Sequence, residues 1–118
     1  MKPQAVDSIS FGYSSILKTY YKRGKLPIKY GFYGDVLTPK NVTLEHLRCI
    51  SDGGHTELKN LVLASANKNQ ERGCKPLSEM LNWKYAGRYL EQFRNIKIDS
   101  FDGNKYIDMI LNTIRELI

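Results

Sequence analysis

Glu45 is followed directly by His46, and Asn60, Asn69 and Arg72 come after them within one short stretch of the chain. An imidazole with an ordinary pKa of about 6.5 can take a proton from water near neutral pH, which makes His46 the candidate general base. The side-chain oxygens of Glu45 and Asn69 are of the kind that a hard divalent cation accepts. Such a cation, Mg²⁺ or Mn²⁺, keeps several waters and needs only one or two protein oxygens. A histidine standing alone before a leucine reads as structural, and it is the company of Glu45, Asn60 and Asn69 that reverses this for His46. His55, after Gly54, has no such company and reads as an exposed loop residue. Asn67 precedes Asn69 by two positions, about 200° around a helix, so Asn69 is the candidate ligand.

The elements that must hold these groups follow from the surrounding pattern. Phe11, Ile16, Leu17, Tyr20 and Tyr21 recur at helical spacing and predict a helix over 8–23, with Gly24 as its stop and Pro27 beyond. From Tyr30 to Gly73 the texture changes to turns and short β-branched runs. Val42-Thr43-Leu44 and Leu61-Val62-Leu63 predict two strands, and Ser51-Asp52-Gly53-Gly54 predicts a loop between them. Ser65 stands at an N-cap position before about two helical turns that Gly73 and Pro76 close. From Ser78 onward helical spacing returns in two sets, Met80-Leu81, Tyr85, Tyr89-Leu90 and Phe93, then Tyr106-Ile107, Ile110-Leu111, Ile114 and Leu117-Ile118, with Asp102-Gly103-Asn104 between them. Both sets read as scaffold. Trp83, Tyr85, Arg88, Tyr89 and Arg94 mix aromatics with positive charge, but at this spacing the rings are expected to pack inward while Lys84, Arg88 and Arg94 face solvent.

Glu45-His46, Gly53-Gly54, Asn60-Leu61, Asn69 and Arg72-Gly73, in that order, resemble the HNH (ββα-metal) endonucleases. Phe32-Tyr33-Gly34-Asp35 upstream resembles the short HNH proteins common in phage genomes. The resemblance covers about residues 30–77 of a single domain, 1–118, and implies an α+β fold: a two-stranded hairpin and a helix, flanked by helical segments at 8–23 and 78–118. It also implies divalent-metal-dependent hydrolysis of DNA phosphodiester bonds that leaves a 5′ phosphate. In that chemistry His46 activates water, Glu45 and Asn69 hold Mg²⁺ or Mn²⁺, and Asn60 serves the catalytic centre by organising the loop that carries His46. Neighbouring strand residues point to opposite faces. A strand ending at His46 therefore lets the carboxylate and the imidazole approach a phosphate from two sides. Arg72, one turn beyond Asn69, with Arg48, Lys68 and Lys75, is expected to grip the phosphates beside the cut.

Two positions depart from the family pattern, Cys49 where a proline is frequent and Glu45 where aspartate is common. Ser65 and Lys68 stand where zinc-bearing relatives have cysteines, so no structural zinc is expected. Cys49 and Cys74 read as ordinary thiols, too few for a disulfide framework.

A chain of 118 residues with 42% hydrophobic content has enough apolar material for a core, and its net charge of +6 suits a polyanionic partner. No run is long and apolar enough to cross a bilayer, and the first residues lead into no signal-like segment. DNA is the partner that the resemblance implies, a membrane is not expected, and the expected location is the cytoplasm, with a phage-encoded protein in a bacterial host as one source. Alongside a self-sufficient endonuclease stand a catalytically silent HNH-derived regulator that binds nucleic acid or protein, and a nuclease subunit of a phage assembly. A homodimer is open in each case.

Overall fold

The computed structural model describes residues 16–118. It has an α+β architecture, with five helices and two small antiparallel sheets among those residues. The first helix, α1, is seen over 16–22 and ends at Gly24, whose φ of +73° favours glycine. The Ser8 and Phe11 part of the predicted helix lies outside the described residues.

Strands β1 (Val42–His46) and β2 (Leu61–Ser65) pair antiparallel with Leu44 opposite Leu63 and His46 opposite Leu61. Both strands run two residues further than their β-branched cores predict, because pairing extends each partner. Helix α2 (Ala66–Arg72) follows β2 directly, and the Ser65 hydroxyl accepts from the Lys68 N–H at 3.2 Å as its N-cap. The short α3 (Leu77–Met80) and α4 (Trp83–Glu91) come next. A two-residue hairpin, β3 (Lys97–Ile98) and β4 (Phe101–Asp102), then leads into α5 (Gly103–Leu117). That hairpin is absent from the sequence expectation, which took Asp102-Gly103-Asn104 only as punctuation; in fact Asp102 caps α5 by accepting from the Lys105 N–H.

Every residue of β2 is buried. Its edge away from β1 is covered by side chains and one loop instead of a third strand. The Tyr106 hydroxyl donates to the Leu61 carbonyl at 2.7 Å, the Tyr89 hydroxyl accepts from the Leu63 N–H at 2.9 Å, and the Phe32 N–H donates to the Leu63 carbonyl at 2.9 Å. The two tyrosine hydroxyls also bond each other at 2.8 Å, so an edge that would otherwise invite pairing is fully engaged. Their rings join Phe32, Phe93 and Phe101 in a cluster with centroid separations of 4.7 to 6.5 Å. The tyrosines of α4 and α5 are thus scaffold, as their spacing indicates. Tyr85 departs from this. It is 38% exposed and its ring packs against Gly34, since on α4 it falls at the margin of the stripe that Ala86, Tyr89 and Leu90 bury.

Cys49 and Cys74 form a disulfide with a Cα separation of 5.6 Å, which corrects the reading of free thiols. The two are 25 residues apart in sequence, and only the packing of α2 on β1 brings them together. The cross-link ties the loop after β1 to the residues just past α2. Closing a loop of this length is expected to stabilise the fold by about 3 kcal/mol. The Cys49→Ser, Cys74→Ser double variant should therefore show a lower urea midpoint by that amount of free energy, and an unchanged midpoint would contradict it.

Candidate active site

β1 alternates as an extended strand must, and the alternation sorts the candidate residues onto two faces. Thr43 and Glu45 turn towards α2. His46 leaves on the opposite side, where the long loop 47–60 returns across it.

On the α2 side Glu45 is buried at 3% exposure, and its Oε2 accepts from the Tyr33 hydroxyl at 2.6 Å and from Arg72 at 3.2 Å. Arg72 is equally buried, and each of its three guanidinium nitrogens makes at least one hydrogen bond. Nε donates to the Lys75 carbonyl at 2.8 Å, while the terminal nitrogens reach the His46 and Leu47 carbonyls at 3.1 and 2.7 Å. Burial pushes the Glu45 carboxyl above its ordinary range, and the Tyr33 hydroxyl and Arg72 pull the other way. Burial, then the Glu45 charge, pushes the Tyr33 phenol far up, so it stays protonated and donates.

These contacts bear on two expectations, Arg72 on phosphates and Glu45 on a metal ion. Arg72, expected to grip phosphate, is 3% exposed and turns its donors inward, onto backbone carbonyls and Glu45. Glu45 Oε2 is shared by a hydroxyl and a guanidinium, and a second cation on that oxygen would be repelled by the first at short range. The pair instead bolts the end of β1 to the last turn of α2.

Asn69 lies on the same helix face one turn earlier. Its Nδ2 donates to the Thr43 hydroxyl at 3.0 Å and the Leu44 carbonyl at 3.1 Å, while its Oδ1 makes no hydrogen bond among the described residues. No hydrogen bond joins it to Glu45, and no three His, Cys, Asp or Glu side chains converge among the described residues.

No family model, curated protein or solved structure matches this chain significantly. The site therefore has to be judged on its own contacts.

On the loop side, His46 is half-buried, and Nε2 lies 3.0 Å from the Thr56 hydroxyl. Burial lowers its pKa from the ordinary 6.5, which keeps the ring neutral at physiological pH. Asn60, buried at 5%, clamps the loop: Oδ1 accepts from the Arg48 N–H at 2.8 Å, and Nδ2 donates to the Arg48 and His55 carbonyls at 3.1 and 2.9 Å. Gly54 passes so close to the Arg48 carbonyl that a Cβ there would collide with it.

Arg48 and Lys75 are exposed. Arg48 lines a cleft of about 160 Å³ with Gly54, His55 and Lys59 and, from α5, Thr113 and Glu116. Lys68 pairs with Glu71 at 3.3 Å, an exposed contact worth well under 1 kcal/mol that a phosphate can displace. Sequence reasoning missed Tyr33, Thr56 and the disulfide. Tyr33 sits in a segment that the HNH resemblance touches, yet no spacing rule says that its hydroxyl reaches Glu45. Thr56 carries no signal at all.

Proposed function

We propose that this chain is a DNA endonuclease of the HNH type. The observation that carries the reading is the half-exposed imidazole of His46 at the end of a strand, beside a loop locked by Asn60 and across the strand from α2. In this reading His46 removes a proton from water as the water oxygen bonds to phosphorus. The bond from phosphorus to the 3′ oxygen then breaks, leaving a 5′ phosphate, and the departing oxygen takes its proton from solvent. Arg48, Lys68 and Lys75 hold the backbone phosphates.

A hard cation, Mg²⁺ or Mn²⁺, would neutralise charge on the phosphate oxygens when bound. Asn69 Oδ1 is one oxygen suited to it. Glu45 Oε2 is already engaged by Tyr33 and Arg72, Asn69 lies on the face of β1 opposite His46, and one amide does not make a divalent site, so His46 is the group of this chain that carries the step.

Supercoiled plasmid incubated with the native protein and each metal in turn tests the proposal. Open-circle or linear product is expected, and an intact plasmid under every metal would defeat it. The engagement of Glu45 by Arg72 favours a second reading, a silent HNH-like module that binds nucleic acid without cutting. Retention of the same plasmid without cleavage would select it.

A pH profile adds a sign. Only the neutral ring accepts a proton, and burial places its titration below 6.5. The nicking rate is therefore expected to be half-maximal below that value and flat by about pH 7.5. A half-point above about pH 7 would argue against His46 as the base.

A further inference from the structure

We infer that Thr56 is the positioning residue for His46: its hydroxyl accepts the Nε2–H and so selects the tautomer whose Nδ1 lone pair is free to take a proton. The inference rests on the endonuclease reading, since the base role is what asks for an open Nδ1, whereas the contact between Thr56 and the ring does not.

A neutral imidazole carries one N–H and one lone pair, and the base role requires the lone pair to be the accessible one. Nε2 lies 3.0 Å from Thr56 Oγ1, and Nδ1 makes no hydrogen bond among the described residues. Were the hydroxyl to donate, the ring proton would sit on Nδ1 and the only lone pair would be covered by Thr56. With Nε2–H donating, the hydroxyl keeps its own hydrogen for solvent, which the exposed Thr56 reaches, and Nδ1 is left open. Nε2–H is also the tautomer that a free histidine side chain prefers.

Thr56 is held in place from two directions. Asn60 Nδ2 grips the His55 carbonyl at 2.9 Å, one peptide bond before Thr56. The Glu57 N–H reaches the same carbonyl at 3.0 Å, and the Asn60 N–H closes the turn on the Glu57 carbonyl at 2.9 Å. Threonine adds its own stiffness, because the branched β-carbon limits χ1. Asn60 thereby acts on His46 through Thr56, by a route of one carbonyl and one hydroxyl.

The test reads the ring nitrogens directly. The chain has two histidines, so long-range ¹H–¹⁵N spectra of the full-length protein at alkaline pH are assigned with one His55→Gln comparison. The native protein is expected to show a protonated Nε2 and an unprotonated Nδ1 at His46, Thr56→Val a mixture of the two tautomers, and Thr56→Ser the native pattern. Nicking should fall roughly severalfold in Thr56→Val, as part of the rings hold the other tautomer or another orientation, and recover in Thr56→Ser. A protonated Nδ1 in the native protein, or a Thr56→Val spectrum identical to native, overturns the inference. If the native protein cuts no DNA, the endonuclease reading fails while the spectra still decide the role of Thr56 in holding the ring.

Discussion

Replacing His46 with alanine is expected to slow plasmid nicking by about 10²- to 10⁴-fold, the range that a positioned proton acceptor supplies. DNA binding and folding should be nearly unchanged. The separation of effects follows from what the side chain does and does not hold. The His46 carbonyl is the group that Arg72 grips, at 3.1 Å, and alanine keeps that carbonyl. Among the described residues the ring itself makes one hydrogen bond, to Thr56, on the half-exposed face of β1. Removing it opens no cavity in the core and takes away no phosphate contact. Single-turnover nicking measured beside fluorescence anisotropy of labelled duplex separates rate from affinity. Native-like nicking by the variant would remove His46 from the mechanism, and a collapse of binding would recast it as a DNA contact.

Arg72→Ala and Glu45→Ala are each expected to cost about 3–5 kcal/mol of stability, because each strands its partner's charge inside the fold. For a domain whose whole stability is about 5–15 kcal/mol, this threatens folding itself. Arg72→Ala should be the worse of the two. It also leaves the carbonyls of His46, Leu47 and Lys75 without the donors that reach them at 2.7 to 3.1 Å. Replacing both partners by apolar residues of similar volume, Glu45→Leu with Arg72→Met, should cost less than either single change. Chemical denaturation of the three variants measures this. The result also discriminates between roles: an arginine that gripped phosphate would, on removal, weaken DNA binding and leave the denaturation midpoint alone. A loss below about 1 kcal/mol in Arg72→Ala would return it to the surface role.

The secondary structure was largely legible because its signals are local. Ser65 announces the start of α2 by offering a hydroxyl to an otherwise unpaired N–H. Gly24 stops α1 through a backbone angle that other residues resist. The stripes on α4 and α5 repeat at helical period, and their tyrosines are buried wherever they fall at the centre of the stripe. Tyr85 was misjudged because periodicity sets a direction around the helix, while the width of the buried sector depends on what packs there. The two-residue strands β3 and β4 carry no periodic signal to read.

The candidate residues are legible in the sequence, and their partners inside the fold are not. Asn60 was expected to bond loop backbone and is seen doing so, and the role in catalysis attached to that contact is what the variants above test. Glu45 and Arg72 were assigned outward roles, on a metal and on phosphates, from their chemical types. Their burial gives each the other as partner.

What the sequence alone determined is the order of elements and the small set of polar residues able to do chemistry, since propensity, capping and periodicity act over a few neighbouring positions. The tertiary structure decided which of those polar groups keep a free valence. The pairing of Glu45 with Arg72 over 27 positions and Tyr33 with Glu45 over 12, and the cross-link over 25, depend on how α2 and the 30–36 segment close on β1. Desolvation then decides which groups must be paired, for a charge taken from water must find a partner within the fold, whereas His46, left half in solvent, need not.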